Sequence, residues 1–317
     1  MGLLDKLKGF RVVQGNRLNP DGDNGGQDGE HQFELTWVGP YKIIAPIGSG
    51  GMGTVYKAID PVKDVTVAIK VLDRRFDLDR KRRRRDYIGR EVMIASSLNH
   101  PNIIRMSKDI IVQEDNEGNL RRCIVMEYVD GYNLRYFIEN RVLNIRQMMH
   151  ICIKLCEGLD FLHQKGIVHR DIKPANFLFS KDGKQIKICD FGLSKSSQNW
   201  WLRWVKESGG TKLYMSPEQL RKKSLDARSD IFSFGITMFE FFSGKHPCNG
   251  LDMRQRVKQI VSPSYTWPIP SSLNREIPER LDRVILKCLR RDLRERYQTC
   301  TEVLLDLNRV FESSTRI

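Results

Sequence analysis

The segment HRDIKPAN, residues 169–176, and the tripeptide DFG, residues 190–192, decide the fold of this 317-residue chain. Their acidic and amide side chains are Asp171, Asn176 and Asp190. A carboxylate can accept a proton, whereas carboxylate and amide oxygens suit Mg²⁺, which takes few protein ligands and fills its shell from phosphate oxygens. The set therefore indicates one proton acceptor and two magnesium ligands. Phosphoryl transfer needs such groups to position its reactants and neutralise charge.

A glycine-rich stretch precedes these motifs by more than a hundred residues. IGSGGMGTV, residues 47–55, contains Gly48, Gly50 and Gly53 in the spacing GxGxxG. Backbone N–H groups of glycine can approach phosphates because no Cβ is in the way. The residues after Gly53 continue as a strand, which predicts a hairpin between two strands rather than a dinucleotide-binding turn. Taken alone, the stretch would more often be a surface hairpin than a phosphate-binding loop.

The next motif is VAIK, residues 67–70. A lysine on a strand beneath a glycine hairpin can reach two phosphates of a nucleotide, and Lys70 is in that position. Its ammonium needs a carboxylate partner, for which Glu91 on a helix predicted at about residues 84–98 is the candidate. As isolated residues, both charges would be interpreted as solvated.

The pattern of the whole chain changes near residue 130. Short, β-branched-rich runs fill residues 37–129, with the one predicted helix among them. From about residue 134 to 312 the pattern is mostly helical, including a helix that stops at Gly166 and another over about residues 300–311. Residues 229–244 are apolar almost all round, which predicts a buried helix. A small β-rich region followed by a larger helical one is an α+β arrangement.

Together these motifs resemble the eukaryotic-type (Hanks-type) serine/threonine protein kinases, in particular the bacterial branch, over about residues 41–312. GSGGMGTVYKA, GTKLYMSPEQ, RSDIFSFG and RERYQT carry the likeness. Lys173, two residues after Asp171, and GTKLY before SPE are typical of the serine/threonine class. The resemblance implies a bilobal protein-kinase-like fold with an N-lobe at 36–129 and a C-lobe at 130–312. Residues 1–35 would be a flexible leader with a short amphipathic helix, and residues 313–317 a tail.

The same resemblance implies ATP-dependent transfer of the γ-phosphate to Ser/Thr hydroxyls of protein substrates, with Mg²⁺ or Mn²⁺ as cofactor. Lys70 would contact the α- and β-phosphates and pair with Glu91. Asp171 would accept or orient the substrate's proton, and Lys173 would contact the γ-phosphate.

The remaining roles that the resemblance implies fall into three groups. The metal ligands would be Asn176 and Asp190. The ATP-binding residues would be Ile47, Gly48, Ser49, Gly50, Gly51, Met52, Gly53, Thr54, Val55, Ala68, Lys70, Met126, Glu127, Val129 and Leu178. The structural and regulatory residues would be His169, Arg170, Phe191, Thr211, Glu218, Asp230 and Arg296.

In that last group, His169 and Phe191 would stack in a hydrophobic spine. Thr211 would bond to Asp171 and Lys173. Glu218 would pair with Arg296, and Asp230 would brace the catalytic loop.

The segment between Asp190 and Glu218 contains two unusual features. Trp200, Trp201 and Trp204 would share one helical face, which either packs on the C-lobe or docks a partner, a substrate or the cleft itself. Arg170 would pair with a phosphorylated residue of this segment, which predicts autophosphorylation. The candidate acceptors are Ser194, Ser196, Ser197 and Ser208.

The charge balance is strongly basic. The chain has 53 Lys and Arg against 39 Asp and Glu, a formal net charge of +14. Residues 74–90 alone contain nine basic and three acidic residues, and form either a solvated charged face or a dock for an acidic or phosphorylated partner. Nucleic acid is disfavoured, because no aromatic residues alternate with these charges as in single-strand-binding grooves.

Composition also predicts a cytoplasmic protein. The seven cysteines form no CxxC pair, which argues against zinc and a disulfide framework and for a reducing compartment. No uncharged stretch is long enough for a transmembrane segment. The N-terminus does not resemble a signal peptide. Peripheral membrane contact through residues 1–18 is the alternative.

Three other functions are compatible with parts of the sequence. A pseudokinase or scaffold would usually lack one of the motif Lys, Asp or Asn residues, and none is lacking here. A small-molecule kinase of related fold would tend to lack the glycine hairpin and the SPE segment. A nucleic-acid-binding protein is suggested by the basic charge alone, and a steep salt dependence of DNA binding without ATPase activity would favour it.

Overall fold

The computed structural model describes residues 36–50, 53–73, 87–115, 118–191 and 210–313. They form two compact units. Within the described residues, the small unit takes 36–99 together with Ile104–Tyr128, and the large unit takes His100–Ile103 together with 129–313. The lobe boundaries from the sequence stay predictions.

The small unit is built on an antiparallel sheet. Its strands are β1 (Trp37–Val38), β2 (Tyr41–Gly50), β3 (Gly53–Asp60), β4 (Val65–Leu72), β5 (Met106–Glu114) and β6 (Leu120–Glu127). Their order in the sheet is β1-β2-β3-β4-β6-β5. Isoleucine and valine are the commonest residues of these strands because their side chains fit a pleated, half-buried surface. The β-rich pattern predicted for this part of the chain is confirmed.

One face of this sheet is the apolar core of the small unit. Ile69 and Val71 of β4 point into it with Cys123 and Val125 of β6, and Ala58 of β3 joins them. The helix of this unit, α1 (Tyr87–Ser96), packs against β5. Its described bounds lie within the predicted helix.

The large unit is mainly helical, as the sequence predicts. Its helices are α2 (Leu134–Asn140), α3 (Ile145–Gln164), α4 (Pro217–Leu220), α5 (Ala227–Ser243), α6 (Met253–Val261), α7 (Pro270–Leu273), α8 (Glu279–Cys288) and α9 (Cys300–Ser313). Helix α3 begins with a capping box, in which the Asn144 side chain accepts from the Gln147 N–H and the Gln147 side chain accepts from the Asn144 N–H.

Helix α5 is the centre of this unit. Every residue from Ser229 to Ser243 is buried, so the helix predicted to be apolar on all sides has neighbours on all sides. Asp226 caps its first turn, and Gly244 ends it in the left-handed region at φ 72°. A Cβ on Gly244 would also displace the guanidinium of Arg141, and the positive φ favours glycine at this end.

A three-stranded sheet in the large unit was not predicted. It contains β7 (Gly131–Asn133), β8 (Phe177–Ser180) and β9 (Ile186–Ile188), in that order. Strands of three or four residues are too short to show the alternation on which strand prediction depends. This sheet matters because β8 and β9 adjoin the two motifs with which the sequence analysis began.

Several predictions fall outside the described residues. They concern the N-terminal amphipathic helix, Gly51, Met52, residues 74–86, Gly192, the tryptophans at 200, 201 and 204, and the serines at 194, 196, 197 and 208. Among the residues that the structure does describe, no helix has the length and apolar character needed to cross a bilayer.

Candidate active site

The glycine hairpin of the small unit lies between β2 and β3, as predicted. Gly48 pairs with Val55, Ser49 with Thr54, and Gly50 with Gly53. At Gly53, with φ 133°, a Cβ would lie 2.0 Å from the carbonyl oxygen of Val71, so the hairpin cannot pack on β4 with any other residue. A Cβ on Gly48 or Gly50 would meet nothing within 4 Å. The fold of the small unit therefore requires Gly53, whereas Gly48 and Gly50 leave space for a ligand.

The strand register brings the predicted nucleotide residues of this unit to one face of the sheet. Val55 pairs with Lys70, and Ala68 pairs with Met126. Directly paired residues of antiparallel strands point to the same side, as do residues two apart on β4. Ile69 and Val71, which alternate with these positions, point into the apolar core instead. The motif VAIK thus alternates between a candidate binding face and the core.

Lys70 and Glu91 are both buried, with 3% and 7% of their surface exposed. Buried charges need charged or hydrogen-bonding partners. The pairing of these two residues with each other stays a prediction. At Glu127, the backbone N–H donates to the Arg105 carbonyl at 2.9 Å and the carboxylate accepts from the Arg105 N–H at 2.7 Å. A nucleotide would therefore have to use a different group of Glu127 from its N–H.

In the large unit, a short 3-10 helix at Pro174–Asn176 folds the catalytic loop back on itself. The amide nitrogen of Asn176 donates to the Asp171 carbonyl at 2.7 Å and to Asp171 Oδ2 at 2.9 Å. The Lys173 ammonium lies 3.2 Å from the same Oδ2. Asp171 Oδ1 is buried and has no hydrogen-bond partner among the described residues. One oxygen of this carboxylate is held in place, and the other is left as a proton acceptor.

Hydrogen bonds through Cys189 bring the DFG motif beside this loop. The Cys189 N–H donates to the Asn176 carbonyl at 3.0 Å, and His169 Nε2 lies 2.9 Å from the Cys189 carbonyl. Because His169 Nδ1 accepts from the Asp171 N–H at 3.3 Å, Nε2 is the donor. His169 and Phe191 meet edge to face with ring centroids 6.3 Å apart. Asp190, at φ 60°, is thereby placed next to residues that contact Asn176 and Asp171.

The residues present fit a magnesium ion. The amide nitrogen of Asn176 is committed to Asp171, so its oxygen is the group that could face a metal. An amide oxygen and the carboxylate of Asp190 are hard ligands of the kind that Mg²⁺ prefers, and substrate phosphates would complete the shell. The described residues contain no cluster of three or more His, Cys, Asp or Glu side chains arranged to hold a metal by themselves.

Asp230, at the start of α5, holds the backbone of the catalytic loop in place. Its Oδ2 accepts from the His169 N–H at 2.7 Å, and its Oδ1 accepts from the Arg170 N–H at 2.8 Å. His163 Nε2 lies 2.9 Å from Oδ2. Burial alone would raise the pKa of Asp230, but the hydrogen bond and charge of His163 outweigh it and hold that pKa below its ordinary value. Burial likewise opposes a charged His163, yet the bond to Asp230 raises the pKa of His163 to about 10.

Gln219 adds a further support. Its side-chain amide donates to the Arg170 carbonyl at 2.9 Å, while its Oε1 accepts from the Ser216 N–H at 2.8 Å. Arg170 is itself in the left-handed region, at φ 70°. Side chains from α4 and α5 thus hold both the N–H and the carbonyl of Arg170, the residue before Asp171.

Glu218, the neighbour of Gln219, contacts a different part of the unit. Its Oε1 lies 2.7 Å from Arg296 Nη1 and accepts from the Ser229 hydroxyl at 2.8 Å. Burial would raise the pKa of Glu218, but the Arg296 guanidinium outweighs burial and holds that pKa below its usual range. Leu178, half-buried, lies on β8, and Val129 lies just before β7. The side chain of Thr211 is outside the described residues.

Sequence reasoning missed His163 and Gln219. Both left a local signal. His163 lies in the row that contains Cys152, Cys156 and Leu159, a polar residue in the apolar stripe of α3. Gln219 completes the capping box S-x-x-Q with Ser216. These signals indicate a buried contact without saying which residue it reaches.

Comparison with known proteins agrees with this geometry. Residues 41–306 match the family model described as protein kinase domain. The chain therefore belongs to the protein kinase domain family, whose members use ATP and a divalent metal, generally Mg²⁺.

Two curated relatives and one solved structure illustrate the likeness. The chain is 38% identical over 273 residues to the serine/threonine-protein kinase PknB of Mycobacterium leprae, which covers 85% of this chain and 43% of that protein. It is 34% identical over 279 residues to the serine/threonine-protein kinase PrkC of Bacillus subtilis, covering 87% of this chain and 41% of that protein. The chain thus spans about two fifths of the length of the curated relatives that it matches.

The structural match covers a whole kinase domain. The crystal structure of the Mycobacterium tuberculosis PknI kinase domain superimposes with a TM-score of 0.63 and 26% identity. The match covers 86% of this chain and 97% of that one. The predicted α+β protein-kinase fold and the bacterial serine/threonine branch are confirmed.

Proposed function

We propose that this chain is an ATP-dependent serine/threonine protein kinase. The observation that carries the proposal is the state of the Asp171 carboxylate. Oδ2 is fixed by Asn176 and Lys173, and Oδ1 is buried without a partner among the described residues. A group held in this way is positioned to accept a proton in the transition state.

The reaction proposed is transfer of the γ-phosphoryl group to a protein hydroxyl. The substrate oxygen forms a bond to the γ-phosphorus, the bond from that phosphorus to the bridging oxygen of the β-phosphate breaks, and ADP leaves. Asp171 Oδ1 takes the hydroxyl proton. Lys173 neutralises charge at the γ-phosphoryl group, since the enzyme's main contributions to this chemistry are positioning and charge stabilisation.

The same proposal assigns roles to the other predicted residues. Asn176 and Asp190 would hold Mg²⁺, or Mn²⁺ in its place, and the bound metal would neutralise phosphate charge. In the small unit, Lys70 with Glu91 would contact the α- and β-phosphates. The residues of the glycine hairpin, and Val55, Ala68 and Met126 on one face of the sheet, would contact the rest of the nucleotide.

The test is transfer of radiolabelled phosphate from ATP to a protein array, comparing the wild-type chain with Asp171→Asn. We expect the variant to lose about 100- to 10,000-fold in rate, the range typical of a general base. Asp182→Asn is the matched control because Asp182 is an exposed residue of the turn between β8 and β9. Equal labelling by wild type and Asp171→Asn would refute the role of Asp171.

A second readout separates a kinase from a nucleotide-binding scaffold. ATP with Mg²⁺ should raise the melting temperature of wild type and Asp171→Asn alike, because Asp171 is proposed to act on the substrate's proton. A wild-type chain that binds ATP without transferring phosphate would support the scaffold.

Autophosphorylation is part of the proposal. Arg170, which is half-buried and precedes Asp171, is the residue proposed to pair with a phosphorylated side chain of the segment between Asp190 and Glu218. Mass spectrometry of active protein should find phosphate within residues 194–211, and none there in Asp171→Asn. Active protein without phosphate in this segment would contradict it.

A further inference from the structure

The large unit contains a basic pocket that the proposed reaction does not use. It has a volume of about 400 Å³ and lies where α4, the start of α5 and the loop after α8 come together. Its cationic lining residues are Arg221, Lys223, Arg228, Arg291 and Arg294. We refer to it as the basic pocket. Its cations lie outside the basic run at residues 74–90.

The two carboxylates in the lining are already neutralised. Glu218 is committed to Arg296 at 2.7 Å, and Asp292 pairs with Arg294 at 3.1 Å. Arg228 pairs with Asp226 at 2.7 Å. Three cations of the lining therefore have no carboxylate partner among the described residues, namely Arg221, Lys223 and Arg291. The basic pocket therefore presents a concentrated positive potential to an incoming ligand.

Two guanidinium groups are held in place before any ligand arrives. Arg221 Nη2 donates to the Val261 carbonyl at 2.6 Å. Arg291 donates from Nε to the Ile260 carbonyl at 2.9 Å and from Nη2 to the Gln259 carbonyl at 3.0 Å. These acceptors are at the carboxyl end of α6, which favours cations. A site fixed in this way loses little side-chain freedom when it binds.

Some cations of the basic pocket still have hydrogen-bond donors that a ligand could use. Within the part of the chain that the structure describes, Arg221 uses only Nη2, and the Lys223 ammonium has no hydrogen-bond or ion-pair acceptor. Burial lowers the pKa of Arg291, and the neighbouring positive charge of Arg221 lowers it further. An anion between these groups would relieve that repulsion.

We propose that the basic pocket binds the phosphate group of a phosphorylated serine or threonine in a protein segment. Such a phosphate carries about −1.5 to −2 charges and three acceptor oxygens, which match several converging guanidinium and ammonium donors. Among the described residues, Leu293 is the one apolar member of the lining, and none of the lining residues is aromatic. The described lining therefore offers no aromatic ring on which a nucleic-acid base could stack and no apolar surface for a lipid chain.

The position of the basic pocket indicates what the binding would do. Glu218 lies in the first turn of α4 and Arg221 caps its end, and the SPE segment supplies the N-cap Ser216 and the first two residues of the same helix. A phosphorylated segment bound here would be retained on the large unit, so proteins that already carry a phosphate would be preferred as substrates. This consequence rests on the proposed kinase function, whereas phosphopeptide binding itself does not.

The test uses fluorescence anisotropy in the absence of ATP. The probe is a fluorescein-labelled library of nine-residue peptides with a fixed central phosphothreonine and Gly, Ala or Ser elsewhere. We expect it to bind the full chain at least about tenfold more tightly than the same library with threonine, a difference of about 1.4 kcal/mol. Arg221→Ala/Lys223→Ala should abolish that preference, and Arg221→Lys/Lys223→Arg should restore part of it.

The matched control is Arg254→Ala/Lys258→Ala. It removes two exposed positive charges from α6 without touching the lining of the basic pocket. The control should keep the preference within about twofold. An equal loss in both double variants would show diffuse electrostatic attraction and overturn the proposal. If Arg221→Ala/Lys223→Ala has a lowered melting temperature, the single variant Lys223→Ala replaces it in the binding test, because it leaves the Arg221–Val261 bond intact.

Other outcomes are equally decisive. Equal affinity for the phosphorylated and unphosphorylated libraries overturns the proposal. So does a labelled DNA duplex or an anionic vesicle that binds more tightly than the phosphopeptides and is released by Arg221→Ala/Lys223→Ala. Phosphopeptide binding in a chain that transfers no phosphate would refute the kinase function and would still support phosphate binding by the basic pocket.

Discussion

Asp230 and Glu218, two buried carboxylates of the large unit, accept hydrogen bonds from different kinds of donor. They are 1% and 5% exposed. Asp230 accepts from two backbone N–H groups, those of His169 and Arg170, and from the His163 ring. Glu218 instead accepts from two side chains, the Arg296 guanidinium and the Ser229 hydroxyl.

The difference lies in what each carboxylate holds. Asp230 fixes the main chain immediately before Asp171, so its loss moves the candidate catalytic loop. Glu218 connects α4 to a residue 78 positions later in the chain, so its loss loosens the fold around it. Asp230 should therefore matter more for rate, and Glu218 more for stability.

Breaking the Glu218 pair should have the largest effect on stability. Arg296→Ala leaves a buried carboxylate without its counter-charge, and removing one partner of a buried pair typically costs about 3–5 kcal/mol. The free energy of unfolding, measured by urea denaturation, should fall by that amount. Arg309→Ala, which breaks an exposed pair with Asp306, should change it by less than about 0.5 kcal/mol. Similar losses in the two variants would mean that burial of the Glu218 pair does not matter.

Asp230→Asn should act on the rate. An asparagine has one acceptor oxygen, so its amide hydrogens would face one of the two backbone N–H donors and displace the loop. A misplacement of about 1 Å can cost about 100-fold in rate, or about 2.7 kcal/mol of activation free energy. The measurement is kcat with a peptide substrate, alongside urea denaturation.

The control for this prediction is Asp282→Asn. Asp282 is also buried and accepts from a backbone N–H, that of Ser271 at 2.9 Å, but it lies on α8 outside the catalytic loop and its Asp230 support. Both variants should lose stability, and only Asp230→Asn should lose rate. An unchanged kcat in Asp230→Asn would contradict the comparison.

The pair of His163 and Asp230 predicts a pH dependence. The pKa of His163 is about 10 in the folded chain and about 6.5 when unfolded, so its stabilisation is complete below pH 6.5 and lost as pH rises towards 10. The lowered pKa of Asp230 gives stabilisation that is present above about pH 3.9 and lost as pH falls further. The stability advantage of wild type over His163→Gln should thus be greatest between about pH 4 and 6.5.

Above pH 6.5 that advantage should decline with a slope of up to about 1.4 kcal/mol per pH unit, because unfolding then releases one proton from His163. Urea denaturation of both proteins across pH 5 to 10 measures it, and the difference cancels other titrating groups. A difference that stays constant over this range would mean that the pKa of His163 is the same in the folded and the unfolded chain.

The sequence predicted features that depend on neighbouring residues. The hairpin of β2 and β3 follows from glycines between β-branched runs, and the burial of α5 follows from its apolar residues on every side. The residues of the catalytic loop were found because their spacing is short and their types are unusual.

Contacts between distant segments were not predictable in this way. His163 reaches Asp230 across 67 positions, and Arg135 reaches Glu240 across 105. The hydroxyl of Tyr214 donates to the same Glu240 carboxylate at 2.5 Å, closing a buried network from three separate segments. The basic pocket was missed for the same reason, because its cations come from separate segments rather than from one run.

Removing the second hydrogen-bond donor to Glu218, the Ser229 hydroxyl, should have the smallest effect on stability. Ser229→Ala removes the hydroxyl that donates to Glu218 Oε1 but leaves Arg296 bonded to the same oxygen, so the cost should be about 1 kcal/mol with kcat unchanged. In the Arg296→Ala background the hydroxyl becomes a main remaining donor to a buried charge, and its removal should cost more. A double-mutant cycle by urea denaturation measures the difference. Additivity within about 0.3 kcal/mol would show that Ser229 and Arg296 do not stabilise the same charge, and Glu218 would then no longer be the counterpart of Asp230.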